Sequence, residues 1–133
     1  MEQIIATIAE KLGISSELAT KAVGIILNLV DSSVDDDVKE KLYNVLPDAR
    51  ALAQAGGEEA GGGGLMGMAS GLFGGGGGAM GAMAAMGKLS VAGLDNDQIT
   101  EMGKSLMSSV GDAGGEELVG QIVNSIPGLD KFI

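Results

Sequence analysis

Apolar residues recur every three or four positions through most of the chain, which is the spacing of one face of an α-helix. The first long stripe consists of Leu18, Ala22, Ile25, Ile26, Leu29 and Val30. A second stripe consists of Ile99, Met102, Leu106 and Val110. No stretch shows the sustained alternation of a β-strand. The pattern therefore predicts an all-α fold.

Residues that commonly begin helices precede both stripes. Ser15 stands at the N-cap position of the first, where its hydroxyl would accept a backbone hydrogen bond. Asp95 holds the same place before the second, and Gln98 three residues later resembles a capping box. Additional helices are predicted over residues 4–12 and 79–89.

A shorter amphipathic helix follows each stripe and ends before a proline. Its apolar positions are Val34, Val38, Leu42, Val45 and Leu46 in one case and Leu118, Ile122, Val123 and Ile126 in the other. The residue before a proline avoids the α region, so these helices should end before Pro47 and Pro127. Each proline can then open a short final turn or helix.

The two halves also align with each other. Residues 13–52 match residues 93–132 without a gap at an offset of 80, and five positions are identical. Those pairs are Gly13/Gly93, Thr20/Thr100, Val30/Val110, Asn44/Asn124 and Pro47/Pro127. The apolar register agrees more widely than the identities. We therefore predict a first helical unit over 1–55 and a pseudo-repeated second unit over 79–133, which can pack as one domain.

A Gly/Met-rich insert, residues 56–78, separates these units. It holds 13 of the 24 glycines, and no charged residue occurs from Gly61 to Gly87. Several of its glycines are four residues apart, a spacing that allows helices to approach closely. Methionine side chains adapt to irregular partners. The insert is compatible with a linker carrying a docked apolar patch, with a self-association surface, or with a membrane-active segment.

The residues predicted to form this self-association or docking patch are apolar and lie in or just after the insert. They are Leu65, Met66, Met68, Leu72, Phe73, Met80 and Met83. A single membrane span is disfavoured, because each interior glycine costs a helix about 1 kcal/mol relative to alanine. We therefore expect the patch to pack against the protein's own core or against a second copy of the chain.

The net charge and the amino-acid composition exclude several functions. The net charge is −10, so no basic face is expected for nucleic acid or anionic lipid. The chain contains no His and no Cys, which removes the usual zinc ligands and the Ser/His/Asp and Cys/His catalytic groups. The run Asp35–Asp37 lacks the glycine of an EF-hand loop and is better explained as the first turn of a helix. We predict no catalytic residue, cofactor, metal site or small-molecule substrate.

Four stretches together carry a family resemblance. They are LGISSELATKAVGIILNLV, LYNVLPDARAL, GGGGLMGMASGLFGGG and GGEELVGQIVNSIPGL, in that order along the chain. The chain resembles the VcgC/VcgE family of small bacterial proteins of unknown function over most of its length. The resemblance implies a bacterial protein, but it implies no activity, cofactor or catalytic residue.

The expected function is therefore that of a non-catalytic helical interaction or self-assembling protein, with itself as partner through the Gly/Met-rich insert. A membrane-perturbing protein that uses the same segment is the first alternative, and an enzyme of unrecognised type is the second. The N-terminal sequence shows no signal peptide, because Glu2 stands where a positive charge is usual. This predicts a cytoplasmic protein, with export by another route as the alternative.

Overall fold

A computed structural model describes residues 2–61 and 79–126. These residues form seven helices: α1 (Glu2–Leu12), α2 (Ser16–Ser33), α3 (Asp36–Val45), α4 (Pro47–Gly61), α5 (Ala79–Val91), α6 (Asn96–Gly114) and α7 (Glu116–Ser125). No strand occurs in either described range. The predicted all-α fold is confirmed.

The predicted helix starts are confirmed by their hydrogen bonds. The Ser15 hydroxyl accepts from the Leu18 amide at 3.2 Å, which caps α2. At α6, Asp95 Oδ1 accepts from the Gln98 amide at 2.8 Å, and Gln98 Oε1 accepts from the Asp95 amide at 3.0 Å. Gln98 Nε2 also donates to the Leu12 carbonyl oxygen at 3.2 Å. The start of α6 is thereby tied to the end of α1.

Tight glycine turns lead into α2 and α6. Gly13 has φ of 65° and Gly93 has φ of 111°, a region that L side chains rarely adopt. In each turn the next amide donates to the carbonyl five residues earlier at 3.1 Å, from Ile14 to Ala9 and from Leu94 to Leu89. This pattern closes a helix C-terminus and satisfies carbonyl groups that the helix leaves without partners.

Helix bounds in the two units follow the predicted offset. The starts of α2 and α6, at Ser16 and Asn96, are 80 residues apart. The same offset relates α3 (Asp36–Val45) to α7 (Glu116–Ser125). Duplication of one helical unit remains a prediction.

All seven helices contribute to a single apolar core. Its largest fully buried side chains are Ile8, Leu27, Leu42, Leu89, Met102, Leu106, Ile122, Ile126, Val23, Val30 and Val110. The units are interleaved, since α1 packs on both α2 and α6, while α5 packs on α2. Helix α3 also contacts α6 and α7. The described parts of the two units therefore share one core.

Helix α4 is longer than the short final turn or helix predicted after Pro47. It runs to Gly61 and so continues over the first residues of the predicted insert. Its contact with α2 is the most extensive between any two described helices. Ala49 and Ala53 of α4 are buried, and Asn28 Nδ2 of α2 donates to the Ala53 carbonyl oxygen at 3.1 Å. This tertiary packing outweighs the low helix propensity of glycine.

Candidate functional site

Most of the predicted association patch lies outside the described residues: Leu65, Met66, Met68, Leu72 and Phe73. Met80 and Met83 lie in α5, but their side chains are not among those described. The structure therefore defines what holds the patch. It leaves the contacts of the patch itself as a prediction.

The segment that carries this patch, residues 62–78, joins two helices that are both anchored on α2. Helix α4 ends at Gly61 and α5 begins at Ala79, and both pack on α2. The α2–α4 contact is exceptionally close at one point. A Cβ added to Gly56 would overlap the Gly24 carbonyl oxygen, and one added to Gly24 would lie 2.7 Å from the Leu52 carbonyl oxygen. Glycine at both positions allows the two backbones to touch.

A polar cluster joins α2, α3 and α4 at the other end of the α2–α4 contact. The Tyr43 hydroxyl donates to Asp31 Oδ1 at 2.5 Å. Lys39 Nζ lies 3.8 Å from Asp31 Oδ2 and 3.9 Å from Asp36 Oδ1. The Arg50 guanidinium carbon lies 5.4 Å from the centroid of the Tyr43 ring, within cation–π range. Three helices are thus linked through one phenol and one carboxylate.

The environment of Tyr43 favours its protonated form. Partial burial raises the pKa of the hydroxyl, and the hydrogen bond to Asp31 and the negative charge of Asp31 raise that pKa further. The positive charge of Arg50 acts in the opposite direction. The hydroxyl therefore serves as a hydrogen-bond donor, whereas a phenolate nucleophile is disfavoured.

Titration of Tyr43 should show this directly, because it is the single tyrosine of the chain. We expect phenolate absorbance to rise only well above the usual pKa of about 10. The folded pKa exceeds the unfolded one, so the stability that the protonated hydroxyl contributes is present below the usual pKa and is lost as the pH rises through the folded value.

The Asp31→Asn variant provides the comparison for this titration. Loss of the negative charge should bring the Tyr43 pKa down toward its usual value. Tyr43→Phe supplies the absorbance baseline, and far-UV circular dichroism shows whether each sample is folded. Ordinary titration of Tyr43 in a chain that is still folded would contradict the Asp31 contact.

The cluster borders a surface groove of about 490 Å³. The groove is lined by Asp36, Lys39, Glu40, Tyr43, Asn44 and Arg50. Its charges are mixed, and Lys39 and Tyr43 already have partners within the protein. Exposed ion pairs of this kind contribute little stability, about 0–1 kcal/mol each. The clearest role of the cluster is to fix α3 and α4 relative to α2.

Within 2–61 and 79–126, no group of three or more acidic side chains is placed to hold a metal ion. No single helix in these ranges is long and apolar enough to cross a membrane, and α1 and α2 meet that test only as a pair bent by 111°.

Comparisons with protein-family models, curated proteins and solved structures give no match to this chain. The resemblance to the VcgC/VcgE family therefore stays a prediction that rests on the sequence stretches given above.

No pattern in the sequence indicated the Asp31–Tyr43 cluster. Its members lie 12 residues apart on different helices, and Tyr43 stands out only as one of three aromatic residues. Their meeting depends on the angle between α2 and α3, which apolar periodicity does not specify.

Proposed function

We propose that this chain is a non-catalytic helical protein that self-associates through the Gly/Met-rich segment, with Leu65, Leu72 and Phe73 as its main anchors. One observation carries the proposal. Among the side chains that the structure describes, the large apolar ones are buried or partly buried, and Val91, 90% exposed, is the large one left exposed. The described side chains thus leave little apolar surface for a partner.

The segment has the composition that such a contact needs. Glycines at 63, 67 and 71 leave room for close backbone approach, and the leucine, methionine and phenylalanine side chains provide apolar area. The segment follows Gly61, the last residue of α4, and precedes Ala79, the first residue of α5. Both helices pack on α2. A rigid helical body therefore holds both ends of an uncharged segment.

Charge makes this association dependent on salt. Each copy has a net charge of −10, so two copies repel each other at low ionic strength. Residues 62–78 carry no charge, so the contacts of this segment are not weakened by salt. Salt screens the repulsion between the acidic bodies. We therefore expect association to strengthen as the salt concentration rises.

Light scattering on the full chain tests the proposal. We expect the mass to increase with protein and salt concentration, and the double variant Leu72→Ser/Phe73→Ser to remain monomeric under the same conditions. Val91→Ser is the matched control, because it removes an exposed apolar side chain outside the segment and should leave the mass unchanged. A monomeric wild-type chain at high concentration and high salt would contradict self-association.

The membrane-perturbing alternative uses the same segment but predicts a different partner. It requires the wild-type chain to float with neutral liposomes and the Leu72→Ser/Phe73→Ser variant to lose that binding. Self-association predicts no flotation with either chain. Liposome flotation beside light scattering therefore separates the two functions.

A further inference from the structure

The groove beside the polar cluster has polar side chains on two sides. Asp36, Glu40 and Asn44 are spaced four residues apart on α3, so they follow one face of that helix. Arg50 of α4 lines the groove with them. The groove volume of about 490 Å³ lies within the range of small-ligand pockets, about 300–1,000 Å³. A small molecule in this groove would therefore contact side chains from both helices.

The Arg50 side chain is the first indication of a ligand. It is the single arginine of the chain, and every other basic residue is a lysine. Its guanidinium carbon lies 5.4 Å from the ring centroid of Tyr43, which is the single tyrosine. Within the part of the chain that the structure describes, the guanidinium makes no hydrogen bond or ion pair. An arginine that stacks on a ring presents its planar set of N–H donors in a fixed orientation, which suits a carboxylate.

The charges of the groove divide into paired and unpaired groups. Lys39 Nζ lies 3.8 Å from Asp31 Oδ2 and 3.9 Å from Asp36 Oδ1, so the charge of this lysine is already balanced. Glu40 is exposed and, among the described residues, has no ion-pair partner. Arg50 and Glu40 therefore present opposite charges to the groove from two helices.

These two opposite charges select the kind of ligand. A simple anion at Arg50 would be repelled by Glu40, and a simple cation at Glu40 would be repelled by Arg50. A molecule that carries both a carboxylate and an ammonium group pairs with both side chains at once. It also adds no net charge to a chain that already carries −10.

We infer that the groove binds a small zwitterion, a free amino acid or a short peptide, whose carboxylate binds Arg50 and whose ammonium group binds Glu40. Asn44 is exposed and makes no side-chain hydrogen bond to another described residue, so its amide is available to the remaining polar atoms of the ligand. Tyr43 keeps its hydrogen bond to Asp31 and holds the guanidinium in place. The ligand contacts α3 and α4 only, so this binding is independent of self-association through residues 62–78.

Nuclear magnetic resonance reports this binding, because the Arg50 Nε–H group and the Tyr43 ring are each unique in the chain. The probes are L-alanine and tri-L-alanine at about pH 6.5, where both ends of each molecule are charged. We expect saturable shifts of both reporter signals with at least one probe, and the tighter probe gives the preferred separation of the two charges. Acetate and ethylammonium carry one charge each and should bind about ten-fold more weakly, since each loses one charge-assisted hydrogen bond.

Substitutions in the full chain test the two charged residues. Glu40→Gln leaves the Arg50–Tyr43 contact in place and should weaken binding of the zwitterion about ten-fold without weakening binding of acetate. Arg50→Gln should abolish saturable binding. Lys41→Gln is the matched control, because it also removes one positive charge but from an exposed residue of α3 that does not line the groove. Far-UV circular dichroism shows whether each variant is folded.

Three results would overturn the inference: no saturable shift with either probe, acetate binding as tight as that of the zwitterion, or unchanged zwitterion binding in Glu40→Gln. An equal loss of binding in Lys41→Gln would overturn it as well, since the effect would then come from net charge. Glu40→Gln decides the question even if Arg50→Gln fails to fold, because Glu40 has no contact that holds α3 and α4 together among the described residues.

Discussion

Replacement of Gly56 with alanine is expected to lower the free energy of unfolding by about 1–3 kcal/mol, a typical cost of overpacking. The new methyl group would overlap the Gly24 carbonyl oxygen, and its other close neighbours are also backbone atoms of α2. Backbone cannot rotate aside as a side chain can, so α4 has to move away from α2. That movement weakens the burial of Ala49 and Ala53 and lengthens the Asn28 hydrogen bond.

The sign of this effect is informative, because alanine normally stabilises a helix. An interior Gly→Ala change gains about 0.5–1 kcal/mol when nothing obstructs the methyl group. Gly120 in α7 is the matched control, since a Cβ there would meet no atom within 4 Å. Gly120→Ala should therefore raise stability while Gly56→Ala lowers it.

Urea unfolding followed by far-UV circular dichroism measures both variants against the wild type. Gly24→Ala should also destabilise the protein, because its methyl group would lie 2.7 Å from the Leu52 carbonyl oxygen. If Gly56→Ala stabilised the protein as Gly120→Ala should, that result would contradict the close backbone contact between α2 and α4 at Gly56.

Local signals account for the parts of the fold that the sequence predicted well. The apolar stripe of α2, the cap Ser15 and the capping box of Asp95 and Gln98 all depend on residues within a few positions of each other. The run Asp35–Asp37 was predicted to lie in a first helical turn. Asp36 and Asp37 do, whereas Asp35 is the N-cap residue and makes no side-chain capping bond. Apolar periodicity and helix capping depend only on neighbouring residues, so they can be predicted from a short stretch of sequence.

Partners between segments were harder to predict. An amphipathic stripe states that a helix buries one face, but it does not state against which helix. The packing of α1 on α6, and the bond from Gln98 to the Leu12 carbonyl, cross between units and have no local signature. The length of α4 was underestimated for the same reason. The glycines near its end indicated an insert by composition, whereas Gly56 is a contact residue.

The candidate site was predictable only in part. Composition located an uncharged apolar segment between the units, and the structure places both of its attachment helices on α2. The patch residues Leu65–Phe73 themselves lie outside the described residues, so their role stays a prediction. The hydrogen bond between Tyr43 and Asp31 depends on how α3 packs on α2, and it was not predicted from the sequence.

Truncation of a core residue in either unit should destabilise the whole described fold. Leu42 in α3 and Leu106 in α6 are both fully buried in the same core. Leu→Ala at such a site costs about 2–5 kcal/mol through lost burial and the cavity left behind. Single domains have a total stability of about 5–15 kcal/mol, so either change removes a large share.

Because the units share their core, the loss should not be confined to the unit that carries the substitution. We expect one cooperative unfolding transition for Leu42→Ala and for Leu106→Ala, with a lower midpoint in both. Hydrogen exchange provides the residue-level measurement. Amides of α2 should lose protection in Leu106→Ala by about as much as in Leu42→Ala, although Leu106 belongs to the second unit.

Val91→Ala is the control for both variants, because Val91 is 90% exposed and its truncation removes almost no buried area. Separate transitions for the two units, or normal protection of α2 in Leu106→Ala, would contradict a shared core. Helix α1 connects the two units, because it packs on one helix from each and its Ile8 side chain is buried in the shared core. Neither unit can open fully without exposing that contact, so the interleaved helices couple the stability of one half to the other.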